Sequence, residues 1–83
     1  MDTTVRKSGD TDKEISERIR ARRLLVGMTQ TELGAALGVS FQQVQRYERG
    51  ANRLSISAFI AVCRALKVDP MELIGQYFSE DKV

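Results

Sequence analysis

Apolar residues recur along this chain at steps of three and four, the period of a helix that buries one face. Ile15, Ile19 and Val26 make one stripe, Leu33 and Leu37 a second, and Val44 and Tyr47 a third. Ile56, Phe59, Ile60 and Cys63 make a fourth, and Leu73, Ile74 and Tyr77 a fifth. No segment alternates apolar and polar positions as a half-exposed strand does. Ahead of most stripes the same local arrangement returns: an apolar residue, a capping residue, two fillers, Glu or Gln, and another apolar residue. It reads Met28-Thr29-Gln30-Thr31-Glu32-Leu33, Val39-Ser40-Phe41-Gln42-Gln43-Val44 and Val68-Asp69-Pro70-Met71-Glu72-Leu73. Each is a capping box with a hydrophobic staple, in which side chains satisfy the orphan amides of a helix start while the apolar pair sets its approach. Pro70 falls at a first helical position, where its missing N–H costs nothing. Leu54-Ser55-Ile56-Ser57-Ala58-Phe59 keeps the cap and staple with Ala58 in place of the acid, and Thr11-Asp12-Lys13-Glu14-Ile15 keeps the box.

Helix ends are marked too, since Gly27, Gly38 and Gly50 stand where a left-handed residue closes the first three helices. The pattern therefore predicts helices near 12–26, 30–37, 41–49, 56–67 and 70–78. None is long enough to be stable alone, so the expected fold is all-α, a compact five-helix bundle around one core. Residues 1–10 show no period and read as a mobile N-terminal arm, either simply disordered or touching phosphates through Arg6 and Lys7. The domain is expected over 11–78, with 79–83 as a short tail.

Only Gly38, Val39 and Ser40 separate helices two and three, which forces a sharp crossing rather than an antiparallel hairpin. Gly34, one turn into helix two, predicts a close approach there, although glycine inside a helix costs about 1 kcal/mol against alanine. With Val44 and Tyr47 turned inward as core anchors, Phe41, Gln42, Gln45, Arg46 and Arg49 share the outward side of helix three. Gln and Arg match the hydrogen-bonding edges of adenine and guanine, and Phe41 offers an apolar face to a thymine methyl.

Composition narrows the functional classes. Eighty-three residues suffice for one self-supporting core, and a second, effector-binding domain is not expected among them. One cysteine and no histidine exclude a disulfide framework and the usual zinc-ligand sets within the chain, and Cys63 reads as plain core. Without a nucleophile–base pair or a phosphate-cradling glycine loop beyond the caps, an enzyme is not expected, and no cofactor or metal is implied. No run approaches the ~18 apolar residues of a membrane span, and the charged start lacks the apolar stretch of a signal peptide, so the expected location is cytoplasmic. The net charge of +2 is unevenly spread: residues 18–53 carry seven arginines against Glu32 and Glu48, a local +5 that leaves −3 elsewhere. Such asymmetry suits a polyanion on one face, though an ordinary solvated surface also carries charge clusters.

The run from Gly27 through Leu33, Gly34 and Gly38 to Ser40, continued by Tyr47-Glu48-Arg49-Gly50 and Leu66-Lys67-Val68, resembles the lambdoid phage repressor and Cro helix-turn-helix family, also called the XRE family. The similarity covers roughly residues 15–75, with the motif about 30–49; Gly34 replaces the family's usual Ala, and Leu54 stands where proline is common. The resemblance implies a Cro/repressor-type helix-turn-helix in helices two and three and sequence-specific binding of double-stranded DNA as a transcriptional regulator, expected to be a repressor, with the recognition helix 41–49 in the major groove. Gln30 then matches the family's phosphate-contacting glutamine. Phe41, Gln42 and Arg46 match its base-reading positions, with Ser40 and Gln45 at their edges. Arg49, Asn52 and Arg53 match the backbone-contacting turn, and Arg23 and Glu48 resemble an internal ion pair. Homodimers are implied as well, and Leu54, Met71, Ile74, Tyr77 and Phe78 are candidates for such an interface or for completing the core. The alternative reading is a protein-interaction module, such as the antitoxin partner of a toxin.

Overall fold

The computed structural model describes residues 8–78; the first seven residues, with Arg6 and Lys7, and the tail 79–83 lie outside the described residues. Five α-helices follow one another: α1 (Ser8–Leu25), α2 (Gln30–Leu37), α3 (Phe41–Glu48), α4 (Ile56–Leu66) and α5 (Pro70–Ile74). A 3₁₀ turn, Gly75–Phe78, ends the described chain, and no strand occurs among the described residues.

Four helices begin at the expected caps. Thr29 closes a full capping box with Glu32: its hydroxyl accepts from the Glu32 N–H at 3.0 Å, while the Glu32 carboxylate accepts from the Thr29 N–H at 2.8 Å. Ser40, Ser55 and Asp69 accept from the backbone N–H groups of Gln43, Ala58 and Met71. Helix one differs, because it starts about a turn earlier than the Thr11 box implies and leaves Thr11 inside the helix. Asp10 in its first turn suits the positive end of the helix dipole, which favours the longer helix. The last helix also differs, becoming 3₁₀ after Ile74. Arg18 braces that turn: its Nη1 donates to the Leu73 carbonyl at 3.0 Å and its Nη2 donates to the Gln76 side chain. The same guanidinium lies over the Tyr77 ring, 5.7 Å from its centre, and Tyr77 donates its hydroxyl proton to Glu14 at 2.6 Å. Two polar side chains of α1 thereby clamp the end of the fold to the first helix.

Every helix contributes to one core of Ile19, Leu33, Val44, Val62, Cys63, Leu66, Val68 and Leu73. Fully burying an aliphatic side chain stabilises a fold by about 1.5–3 kcal/mol, so this small set supplies the main cohesion. Three residues of the expected apolar stripes are exposed instead. Val26 is 44% exposed because α1 ends at Leu25 and the chain leaves the helical register. Ile56 and Ile60 are 81% and 49% exposed, since α4 is apolar on more than one face and turns Val62, Cys63 and Leu66 inward. Burial, with Asp69 adding to it, pushes the Cys63 thiol above its ordinary pKa, as expected for a packing residue rather than a thiolate.

Gly27, Gly38 and Gly50 take left-handed φ values of 76°, 76° and 74°, and Lys67 does the same at 54° to close α4, which no glycine announced. Gly34 has another purpose. A Cβ there would lie 2.7 Å from the Val39 carbonyl oxygen, at the turn into α3. The position therefore trades about 1 kcal/mol of helix propensity for close passage of backbone against backbone. Gly34→Val should lower stability by about 1–3 kcal/mol through overpacking, measured by thermal melting. An unchanged melting temperature would show that the turn can yield.

Candidate nucleic-acid interface

The turn between α2 and α3 is built from both ends. Gly38, left-handed, donates to the carbonyls of Ala35 and Gly34, and the Val39 N–H returns to Gly34 at 2.9 Å. Ser40 then restarts the chain as the cap of α3. The outcome is a short helix held on one side by Val44 and Glu48, both buried, with Tyr47 only half-buried beside them. The second inward anchor is therefore a carboxylate one turn after Val44, not the aromatic ring.

That anchoring turns Phe41, Gln42 and Arg46 to solvent, with Arg49 exposed just beyond the helix and Gln45 half-buried. Phe41 is 44% exposed, which is unusual for an aromatic residue with no structural task. Ser40 is exposed, but its hydroxyl already accepts from the Gln43 N–H at 3.1 Å. Asn52 is exposed in the turn after α3, while Arg53, also exposed there, places Nε 3.0 Å from the Asp12 carboxylate. Gln30, at the start of α2, is half-buried and donates Nε2–H to Glu48 at 3.1 Å.

Arg23 and Glu48 meet in the interior. Arg23 Nε lies 2.6 Å from Glu48 Oε2, Nη2 donates to Oε1 at 3.0 Å, and Nη1 donates to the Met28 carbonyl at 2.8 Å. The pair is bidentate and nearly dry, with side chains 7% and 2% exposed. One carboxylate thus ties α1, the start of α2 and the end of α3 together.

The arginine-rich segment divides by geometry. Arg18 clamps the C-terminal turn and Arg23 holds Glu48, while Arg22 donates to the Lys67 carbonyl at 3.2 Å and lies 3.6 Å from Glu72. Arg20, Arg46 and Arg49 remain exposed. Arg20 belongs to the basic segment but not to the expected site residues. It borders an open depression of about 520 Å³ with Arg23, Thr29 and Gln30, so it extends the exposed basic surface to the start of α2. Its place one turn before Arg23 was the available signal. No group of three or more metal-ligating side chains is gathered among the described residues, and no described helix is long and apolar enough to cross a membrane.

Two crossed helices joined by a glycine turn, with the second exposed along one polar side, define a helix-turn-helix domain. Residues 19–73 match the profile of the family described as Helix-turn-helix. The chain belongs to this family of DNA-binding transcriptional regulators, of the phage repressor and Cro (XRE) type. An uncharacterized HTH-type transcriptional regulator of Sinorhizobium fredii is 46% identical over 78 residues, covering 94% of this chain and 51% of its own length. The chain spans about half the length of the curated relatives it matches. Among solved structures, the restriction-modification controller protein C.AhdI of Aeromonas hydrophila superposes with a TM-score of 0.76 at 25% identity, covering 82% of this chain and 99% of that one. The P22 c2 repressor in complex with a synthetic operator gives 0.65 at 34% identity, covering 71% and 89%.

Removing either member of the buried pair should cost about 3–5 kcal/mol, because it strands the other charge, whereas replacing both by apolar residues should cost much less. Thermal melts of Arg23→Ala, Glu48→Ala and the double variant measure this. Simple addition of the two single losses would show that the residues do not act as a pair.

Proposed function

We propose that this protein is a sequence-specific repressor of transcription that places α3 in the major groove of double-stranded DNA. The observation that carries the reading is the outward side of α3: Phe41, Gln42 and Arg46 stand exposed on a helix whose opposite side is locked by Val44 and Glu48. A helix so anchored presents base-reading groups with little freedom to lose on binding. In this arrangement Gln42 and Arg46 read base edges, Phe41 meets a thymine methyl, and Ser40 and Gln45 border them. Gln30, Arg49, Asn52 and Arg53 engage phosphates, Arg53 by exchanging Asp12 for DNA. The operator complex of the P22 c2 repressor supports the choice of DNA as ligand. The protein works in the cytoplasm, without enzymatic activity, as a homodimer. Its pairing surface is drawn from the C-terminal end of the domain, where Met71 and Phe78 are 55% and 65% exposed. Leu54 and Ile74, by contrast, pack against the core.

Selection of bound duplexes from random DNA tests the whole reading. It should return a two-fold-symmetric consensus with half-sites roughly 34 Å apart, one turn of the double helix. If ~6 phosphates are neutralised per dimer, log affinity should fall with log salt at a slope of about −5. Failure to enrich any duplex, together with salt-independent retention, would refute DNA as the ligand and favour a protein partner instead.

Arg46→Ala and Gln42→Ala should each cost about 1–3 kcal/mol on the selected site and relax its base preference. Competition between selected and random duplexes measures both effects. Equal losses on the two would move these side chains from bases to backbone.

A further inference from the structure

An amide such as that of Gln30 can turn either of two ends toward DNA, and only one of them suits a phosphate. The nitrogen donates, whereas the oxygen repels another acceptor. Glu48 distinguishes between the two. A carboxylate can only accept, so it draws Nε2 of Gln30 toward itself, and the structure has that nitrogen donating to Glu48 Oε1 at 3.1 Å. Glu48 is not free to follow the amide, because Arg23 holds both its oxygens, at 2.6 and 3.0 Å, in a nearly dry setting. Nε2 carries a second N–H. Gln30 also lines the open depression that it shares with Arg20 and Thr29, so its side chain is tethered at one side and accessible at the other.

We infer that Glu48 is a positioning residue for backbone binding: it locks the Gln30 amide in the one orientation that leaves an N–H for a DNA phosphate. This rests on the reading of Gln30 as a phosphate contact. It gives the buried pair a second task besides cohesion, since the acceptor that joins the helices also sets the polarity of a surface donor. The lock is built before DNA arrives, so no amide flip is needed during binding.

The test separates this task from stability. Replacing the pair by apolar side chains, Arg23→Met with Glu48→Met, removes the acceptor without stranding a charge and is the background least disruptive to folding. Affinity for a selected and a random duplex is measured with and without Gln30→Ala, in the natural chain and in that background, with helical circular dichroism confirming the folded state. In the natural chain Gln30→Ala should weaken both duplexes about tenfold, the worth of one hydrogen bond to a charged group. In the apolar background the loss should shrink to about fivefold or less, because the unlocked amide presents its donating end only part of the time. An equal tenfold loss in both backgrounds would overturn the positioning role while leaving Gln30 as a phosphate contact. No loss in either would overturn the phosphate reading and this inference with it. Should the apolar background fail to fold, nuclear magnetic resonance of the natural protein free of DNA decides. One Nε2 proton of Gln30 should exchange with water at least tenfold more slowly than on an exposed glutamine, and equal, fast exchange of both would overturn the lock.

Discussion

A single buried carboxylate holds the working parts of this domain in register. Glu48 sits at the end of the short helix α3 and accepts from Arg23 on α1 and from Gln30 at the start of α2. Helices of eight residues have little stability of their own, so α2 and α3 exist because tertiary contacts hold them. Val44 supplies the apolar contact and Glu48 the directional one. An ion pair removed from water is weak evidence for net stability, because desolvation offsets much of its attraction. Its geometric strictness is the greater contribution: two guanidinium nitrogens on two oxygens admit one orientation of α3 relative to α1.

The second constraint is the absence of a side chain at Gly34. Backbone oxygen of the turn passes where a Cβ would be, which lets Ser40 cap α3 directly after the left-handed Gly38. Crossing angle and ion pair reinforce each other. The turn aims α3 outward, and Glu48 prevents it from rotating about its axis. What remains exposed is a row of side chains carrying donors, acceptors and one aromatic face.

The arginines show how charge is divided between folding and surface. Arg18 and Arg22 take backbone carbonyls near the C-terminal helix, and Arg23 is buried, so three members of an apparently uniform basic cluster serve the fold. Arg20, Arg46 and Arg49 are left to the solvent. Arg53 stands between these groups, exposed yet paired with Asp12. A count of charges along the chain therefore overstates the field available to a ligand.

By itself the sequence determined the helix starts at Thr29, Ser40, Ser55 and Asp69, because a cap is a contact between residues two or three apart. It determined the left-handed stops at Gly27, Gly38 and Gly50 for the same local reason, and the helical period was enough to announce an all-α fold. The outward set on α3 was legible once Val44 was turned inward. Only the tertiary structure decided which apolar residues go inside: Val26, Ile56 and Ile60 share the character of the core but lie on faces that no neighbouring helix covers. It also decided that Tyr47 is only half-buried beside Val44 and Glu48, that Arg18 braces the turn after α5, and that Gln30 is tethered from beneath. These outcomes join residues 18 to 55 positions apart. Period and capping describe a neighbourhood of a few residues, and what a side chain meets across such a separation is set by the packing of whole helices.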